Sequence, residues 1–330
     1  MSSGVVWLVL IVLLALTFDF INGFNDAANS IATSVTTQAL SPRTAILMAA
    51  FLDFAGALSS TAVAKTIGKG VVDPQWITPA VVAAALLGAI LWNLTTWWFG
   101  IPSSSSHALI GGLIGAVVAY KGFSAINVIG IKKILLGLFL TPLIGLSIGF
   151  GLMILLLWIF RKKNPFVYND HFRKVQIFTS ALTAFSHGTN DAQKSMGIIT
   201  MALIAGGFIP DFHIPLWVVV SCATAMALGT ASGGWRIIRT MGTKITRIEP
   251  INGLAADLSS ASIIVSASYL GLPVSTSHVV SSSIMGTGSA RRIMSVKWIV
   301  AKNMVTAWLV TIPVSATLAA FFSVILNYLT

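Results

Sequence analysis

The sequence has little charge. Asp, Glu, Lys and Arg make up 9% of its 330 residues, against about 25% in soluble domains, which excludes an ordinary water-soluble domain. Acid is the scarcer sign, with nine Asp and Glu against 20 Lys and Arg. A single cysteine, Cys222, excludes an internal disulfide and a cysteine-based metal cluster. It reads as a small apolar residue in a helix. Residues 1–42 hold no Lys or Arg, so the opening run lacks the positive n-region of a signal peptide, and no small-residue cleavage site is evident. It reads as the first membrane segment. No nucleophile–base arrangement, P-loop or HExxH motif is present, so nothing points to an enzyme or to a resident cofactor.

Apolar residues fill the space that charge leaves. They are 56% of the chain, with a mean hydropathy of +0.89. Long runs recur at Gly4–Phe18, Ala45–Ala64, Ile77–Phe99, Ile134–Phe160, Pro215–Met226 and Ile299–Leu329. Several exceed the roughly 20 residues that cross a bilayer as a helix. They do not alternate in stretches of about ten, as barrel strands would. The expected fold is an all-α polytopic membrane protein with the lipid bilayer as its partner. The formal charge of +11 then reads as basic loops on the cytoplasmic side, not as a nucleic-acid surface. The Trp residues lie mostly near run ends, as interfacial anchors do.

The chain repeats itself. "GIPSSSSH" (Gly100–His107) matches "GLPVSTSH" (Gly271–His278), and the same offset maps Pro142 onto Pro313. Asn25-Asp26 recurs as Asn190-Asp191, and Lys65–Pro74 loosely resembles Arg239–Pro250. The order of motifs predicts two halves, 1–165 and 166–330, meeting in the polar stretch Arg161–Lys174. If each half crosses five times, counting the short Ser103–Tyr120 and Ser275–Gly288 segments, the second half is inverted relative to the first. Arg43, the linker, and the Arg236–Arg247 and Arg291–Lys302 clusters then fall on the cytoplasmic side, and both termini on the other. Broken helices or re-entrant hairpins from inverted halves, meeting near the midplane, are a recurring transporter plan. Residues 131–160 read either as one tilted helix kinked at Pro142 or as two segments.

Polar pairs in hydrocarbon require an explanation, because an embedded Asp costs about 2.5–3.5 kcal/mol on insertion scales. Asp26 and Asp191 read as a cation site, built from hard oxygen ligands suited to Na⁺ or from proton carriers. The competing reading is a helix cap, which Asn and Asp favour. In "IPSSSSH" and "LPVSTSH", Pro stops one helix and Ser or Thr opens the next. Such helix starts present free N–H groups and a partial positive charge to an oxyanion, or are ordinary Ser caps. His107 and His278 read as hydrogen-bonding residues that orient the hairpins. Lys194, three residues after Asp191, shares its helical face and serves as a secondary partner for Asp191 or for the anion. It has no twin, since Asn29 stands at the equivalent position, just as Asn22 stands where the second half has His187. Whether Asp19, Asp53 and Asp257 pair or line a pathway is not legible.

These motifs resemble the inorganic phosphate transporter family, the Pit-type phosphate permeases, whose signature is a duplicated GANDVANA-like sequence. Here the copies read "GFNDAANS" and "GTNDAQKS". The resemblance spans nearly the whole chain and implies a secondary active symporter for inorganic phosphate in the cell membrane, working by alternating access. Its coupling ion is Na⁺ in some members and H⁺ in others, and Na⁺ is the ion expected here. Alternatives are proton coupling, another oxyanion such as sulfate, or an anion channel. The implied phosphate ligands are Ser103, Ser104, Ser105, Ser106, Ser275, Thr276, Ser277, Asn25 and Asn190. Asp26, Asp191, Asn22 and Asn29 are the implied sodium ligands. His107, His278, Lys194 and Gln193 have secondary roles. Gln193 and Lys194 depart from the Ala-Asn of the first copy, so the two cation sites are not expected to be equivalent. A homodimer is open to such a protein, and no seam for one is legible.

Overall fold

The computed structural model describes residues 3–70, 76–162 and 165–329. Residues 71–74 of the Lys65–Pro74 motif and Lys163 of the linker lie outside them. Every regular element among the described residues is helical. The first six helices are α1 (Ser3–Thr36), α2 (Pro42–Ala57), α3 (Ala62–Gly70), α4 (Pro79–Phe99), α5 (Ser105–Lys121) and α6 (Val128–Phe160). Then come α7 (Pro165–Asp191), α8 (Gln193–Ala205), α9 (Leu216–Ser232), α10 (Trp235–Arg239), α11 (Pro250–Tyr269), α12 (Thr276–Arg291) and α13 (Trp298–Leu329). A π-helical turn, Thr240–Lys244, prolongs α10.

The element order recurs. A long polar-faced helix (α1; α7 with α8) is followed by a bent pair, α2–α3 at 69° and α9–α10 with its π turn at 60°. A helix, a break, a short helix, a 3₁₀ turn and a long Pro-containing helix complete each series, as α4–α5–α6 and α11–α12–α13. By length and composition α1, α4, α6 and α13 each suffice to cross a membrane, and the two bent pairs raise the number to six.

The breaks follow from local chemistry. Gly100 ends α4 at φ +65°, and Gly271 follows α11 at φ +66°. This left-handed turn is one that a side chain resists. Pro102 and Pro273 then prevent the helix from continuing. Ser104 accepts from His107 N and starts α5, and Ser275 does the same for His278 N and α12. The stretch 131–160 is settled as part of one helix, α6, which continues through Pro142, as α13 does through Pro313.

The halves interlock reciprocally: α5 packs on α13 and α12 on α6, while α1 packs on α9 and α7 on α2. Glycine permits the closest of these approaches. A Cβ on Gly115 would sit 2.0 Å from Ala316 O, and one on Gly286 2.2 Å from Leu146 O. Leu143, Leu155 and Ile159 of α6, with Leu309 and Phe321 of α13, present exposed apolar side chains outward. Polar residues turn inward. Asp19, Asn22, Asp26, Asn29 and Thr33 alternate by three and four along one buried face of α1.

The competing reading of the first Asn-Asp pair fails here. Asn25-Asp26 does not cap a helix, because α1 runs through it unbroken. In the second half α7 ends at Asp191 and α8 begins at Gln193, interrupted only at Ala192, with no side-chain cap. In α1 the unbroken backbone leaves no donors for Asn25 and Asp26 to cap, so these side chains are free to reach across to other helices.

Candidate functional site

The two helix breaks meet inside the bundle. Ser106 Oγ donates to Val274 O at 2.8 Å. The rings of His107 and His278 lie 4.6 Å apart, and His278 stacks on Trp308 at 4.0 Å. Trp308 Nε1 donates to Pro102 O, which ties α13 to the first break. The first turns of α5 and α12 thus come together against α1 and the end of α7.

Seven side chains close a ring there. Asp26 accepts from Ser105 Oγ at 3.2 Å and from Ser277 Oγ at 2.5 Å. Asn29 Nδ2 donates to Ser277 Oγ at 3.0 Å and Thr276 Oγ1 at 3.3 Å. Thr276 Oγ1 donates to Asp191 at 3.1 Å. Lys194 Nζ lies 2.9 Å from Asp191 Oδ2 and donates to Ser105 Oγ at 3.2 Å, which completes the circuit. Each hydroxyl accepts from nitrogen and donates to a carboxylate. Hydrogen bonds to charged groups are worth about 1.5–3 kcal/mol, so the ring offsets part of the cost of burying two carboxylates. It joins the halves: Asp26 binds the second break through Ser277, and Lys194 binds the first through Ser105.

Two ring members keep a buried oxygen without a hydrogen-bond partner, Asn29 Oδ1 and Asp191 Oδ1, and so do Asn22 Oδ1 and Asn25 Oδ1, which lie within about one turn before Asp26 on α1. Uncompensated burial of such groups is costly, and hard oxygen donors of this kind suit a small cation. Ligand atoms of Asp26, His187 and Asp191 also lie within 4.8 Å of one another. The arrangement can hold an oxyanion on hydroxyls and helix starts, and a cation on carboxylate and amide oxygens.

Residues 22–319 match the Phosphate transporter family. The chain belongs to this family. Its described helices are accordingly those of a membrane transporter, and the named relatives are transporters, not enzymes. A Bacillus subtilis protein named "Probable low-affinity inorganic phosphate transporter" is 54% identical over 322 residues, covering 97% of each chain. A Rhizobium meliloti protein of the same name is 47% identical, covering 95% of this chain and 94% of that one. A solved structure called "The sodium-dependent phosphate transporter" superimposes with a TM-score of 0.91 at 28% identity, over 98% of this chain and 100% of that one.

Within this family member the structure sorts the sequence-predicted residues. Ser105, Thr276, Ser277, Asp26, Asp191, Asn29 and Lys194 form the ring, and Lys194 is a full member of it. Ser106 fastens one break to the other. Ser104 and Ser275 are N-caps. Ser103 Oγ pairs with Thr311 Oγ1 at 3.0 Å, on the α13 side. Asn25 Nδ2 donates to Asn93 O at 3.1 Å. Asn190 grips the second break, donating to Leu272 O and accepting from Val274 N. Gln193 Oε1 accepts from Val63 N and Ala64 N, so it holds the start of α3, away from the ring. Asn22 is fully buried, with both amide atoms unpartnered.

Sequence reasoning missed the support behind Asp191. His187 Nδ1 is 2.9 Å from Asp53 Oδ1, and Thr230 Oγ1 donates to the other oxygen of Asp53 at 2.6 Å. This turns His187 Nε2 toward Asp191, at 3.4 Å. The available signals were an Asp inside the Ala45–Ala64 run and a His four residues before Asp191. Asp19 and Asp257 also find partners, Ser195 at 2.6 Å and Thr33 at 2.7 Å.

Proposed function

We propose that the protein is a secondary active symporter that carries inorganic phosphate across the cell membrane together with a cation, Na⁺ in the first instance. The closed ring at the paired breaks carries this reading. Its hydroxyls have two possible acceptors, a carboxylate oxygen or a bound oxyanion. A cation held by Asp26 with the free oxygens of Asn22, Asn25 and Asn29 would weaken the pull of that carboxylate on Ser105 and Ser277. Those hydroxyls, with Thr276 and the N–H groups opening α5 and α12, could then turn to phosphate. Cation and anion favour each other's binding through the same O–H groups, and that coupling free energy distinguishes a symporter from a leak.

Residues 1–165 and 166–330 act in this reading as two inverted halves, with the site between them. The recurrent element order and the reciprocal packing support it. Rocking of one half against the other would expose the breaks to either side in turn.

The test is uptake into proteoliposomes, with the Na⁺ gradient, the pH gradient and the anion varied independently. Phosphate uptake driven by inward Na⁺ and not competed by sulfate is the expected result. Uptake driven by a pH gradient alone would assign the carboxylates to protons. Uptake with no coupling would make the protein a channel.

A further inference from the structure

The two Asn-Asp copies differ in the residues one helical turn to either side. Around Asp26 those positions hold Asn22 and Asn29; around Asp191 they hold His187 and Lys194. Asn22 Oδ1 and Asn29 Oδ1 are buried acceptors without partners, and Asn25 Oδ1 is a third. Neutral oxygens grouped beside a carboxylate are what a small hard cation takes from a protein.

The second triad presents nitrogen instead. Lys194 Nζ is 2.9 Å from Asp191 Oδ2, with both side chains almost fully buried. His187, held from behind by Asp53, brings a ring nitrogen to 3.4 Å from the same oxygen. The ammonium already supplies a unit positive charge at this carboxylate. A mobile cation on this carboxylate, at Oδ2 or at the unpartnered Oδ1, would meet a like charge at short range and low dielectric, where repulsion is strong, whereas the Ser105 hydroxyl stands between the ammonium and Asp26.

We infer that Lys194 is a tethered counter-charge standing in the second cation position, so that the site takes one exchangeable cation, on the Asp26 side. This deepens the symport reading and rests on it. Two consequences follow from the geometry. Lys194 also donates to Ser105 Oγ, so the fixed charge is wired to the anion-binding turn of the first break. Each phosphate would also travel with one mobile positive charge fewer than two amide-lined sites would supply. Lys194 is thereby a determinant of stoichiometry.

The experiment counts sodium ions directly. Radiolabelled Na⁺ bound at saturation to purified protein, with inorganic phosphate present, is compared for wild type, Lys194→Asn, and Lys194→Asn combined with Asp191→Asn. Melting temperature is followed in NaCl and in choline chloride at equal ionic strength. Wild type should bind one ion per chain. Lys194→Asn should bind two and gain an additional Na⁺-dependent rise in melting temperature, and the double variant should return to one ion and lose that rise. Lys194→Arg should match wild type. Two ions on wild type, or no added ion on Lys194→Asn, would overturn the inference and leave symport standing. No ion on wild type would defeat the sodium reading, and a site appearing in Lys194→Asn would still support the role given to Lys194. If Lys194→Asn cannot be purified, Asn29→Lys is the converse probe. It should abolish Na⁺ binding, and retained binding would count against the inference.

Discussion

At the scale of single residues, the serines of the two breaks look interchangeable in sequence and are not so in space. Ser104 and Ser275 accept from the backbone and start helices, whereas Ser105 and Ser277 donate to Asp26. Their substitutions should therefore report in different assays. Ser277→Ala removes a donor that a bound oxyanion would use, worth about 1.5–3 kcal/mol, and should weaken phosphate binding roughly 10- to 150-fold. Ser104→Ala removes a cap and should cost about 0.5–2 kcal/mol of stability, with a smaller change in affinity. Phosphate titration and thermal unfolding of both variants check this, and equal losses of affinity would mean the two serines share one role. The types of residue in this site were legible, since an Asp inside an apolar run has few explanations. Their partners were not, because Ser105 and Ser277 lie 172 positions apart and meet Asp26 only through the packing of helices from both halves. Lys194 was read as secondary for the same reason: position alone relates it to Asp191, but not to Ser105.

At the scale of elements, the break motif was legible almost completely, because each of its residues acts locally. Gly takes a left-handed turn, Pro ends the helix and Ser opens the next, and the structure follows that order twice. The Asn-Asp motif was harder to read. A polar pair in a long helix looks like a cap by propensity, and only the continuity of α1 through it shows that the side chains serve another helix. The left-handed turn itself can be tested. Gly271 has φ +66°, and a Cβ there would also approach Ala62 O to 3.2 Å. Gly271→Ala should cost about 1–2 kcal/mol from backbone strain alone, and it should displace Ser275 and Thr276 enough to lower phosphate affinity. Gly207 also lies at positive φ, +71°, with open space around its would-be Cβ. Gly207→Ala is thus a control, carrying the strain without touching the site. Equal effects of the two substitutions on phosphate binding would separate the turn from the site.

At the scale of the whole molecule, charge places the protein in its membrane. Several of the basic residues assigned to one side from sequence, Arg173, Arg247, Arg291 and Lys297, lie near one another in the fold. Arg173 Nε donates to Thr37 O, just before the loop that leads to Arg43 in the first turn of α2. Lys297 N donates to Ile245 O, and Arg291 pairs with Glu249 at 2.6 Å. Arg173, Arg247 and Lys297 line one polar cavity of about 620 Å³ together with Thr36, Thr37 and Glu249. Segments far apart in sequence thus bring positive charge to a shared cavity, and the positive-inside rule predicts that this end faces the cytoplasm. Both termini are then expected on the outer face, which is what an odd number of crossings in each half requires. Impermeant thiol labelling can decide this in intact cells. Cys222 is fully buried, so Cys222→Ala gives a silent background. On it, Ser2→Cys and Thr330→Cys should label from outside, while Asn169→Cys and Thr243→Cys should label only after the membrane is opened. Labelling of the two termini from opposite sides would refute the five-plus-five arrangement. Labelling of all four positions with the sides reversed would keep the inverted halves and overturn the charge argument that orients them.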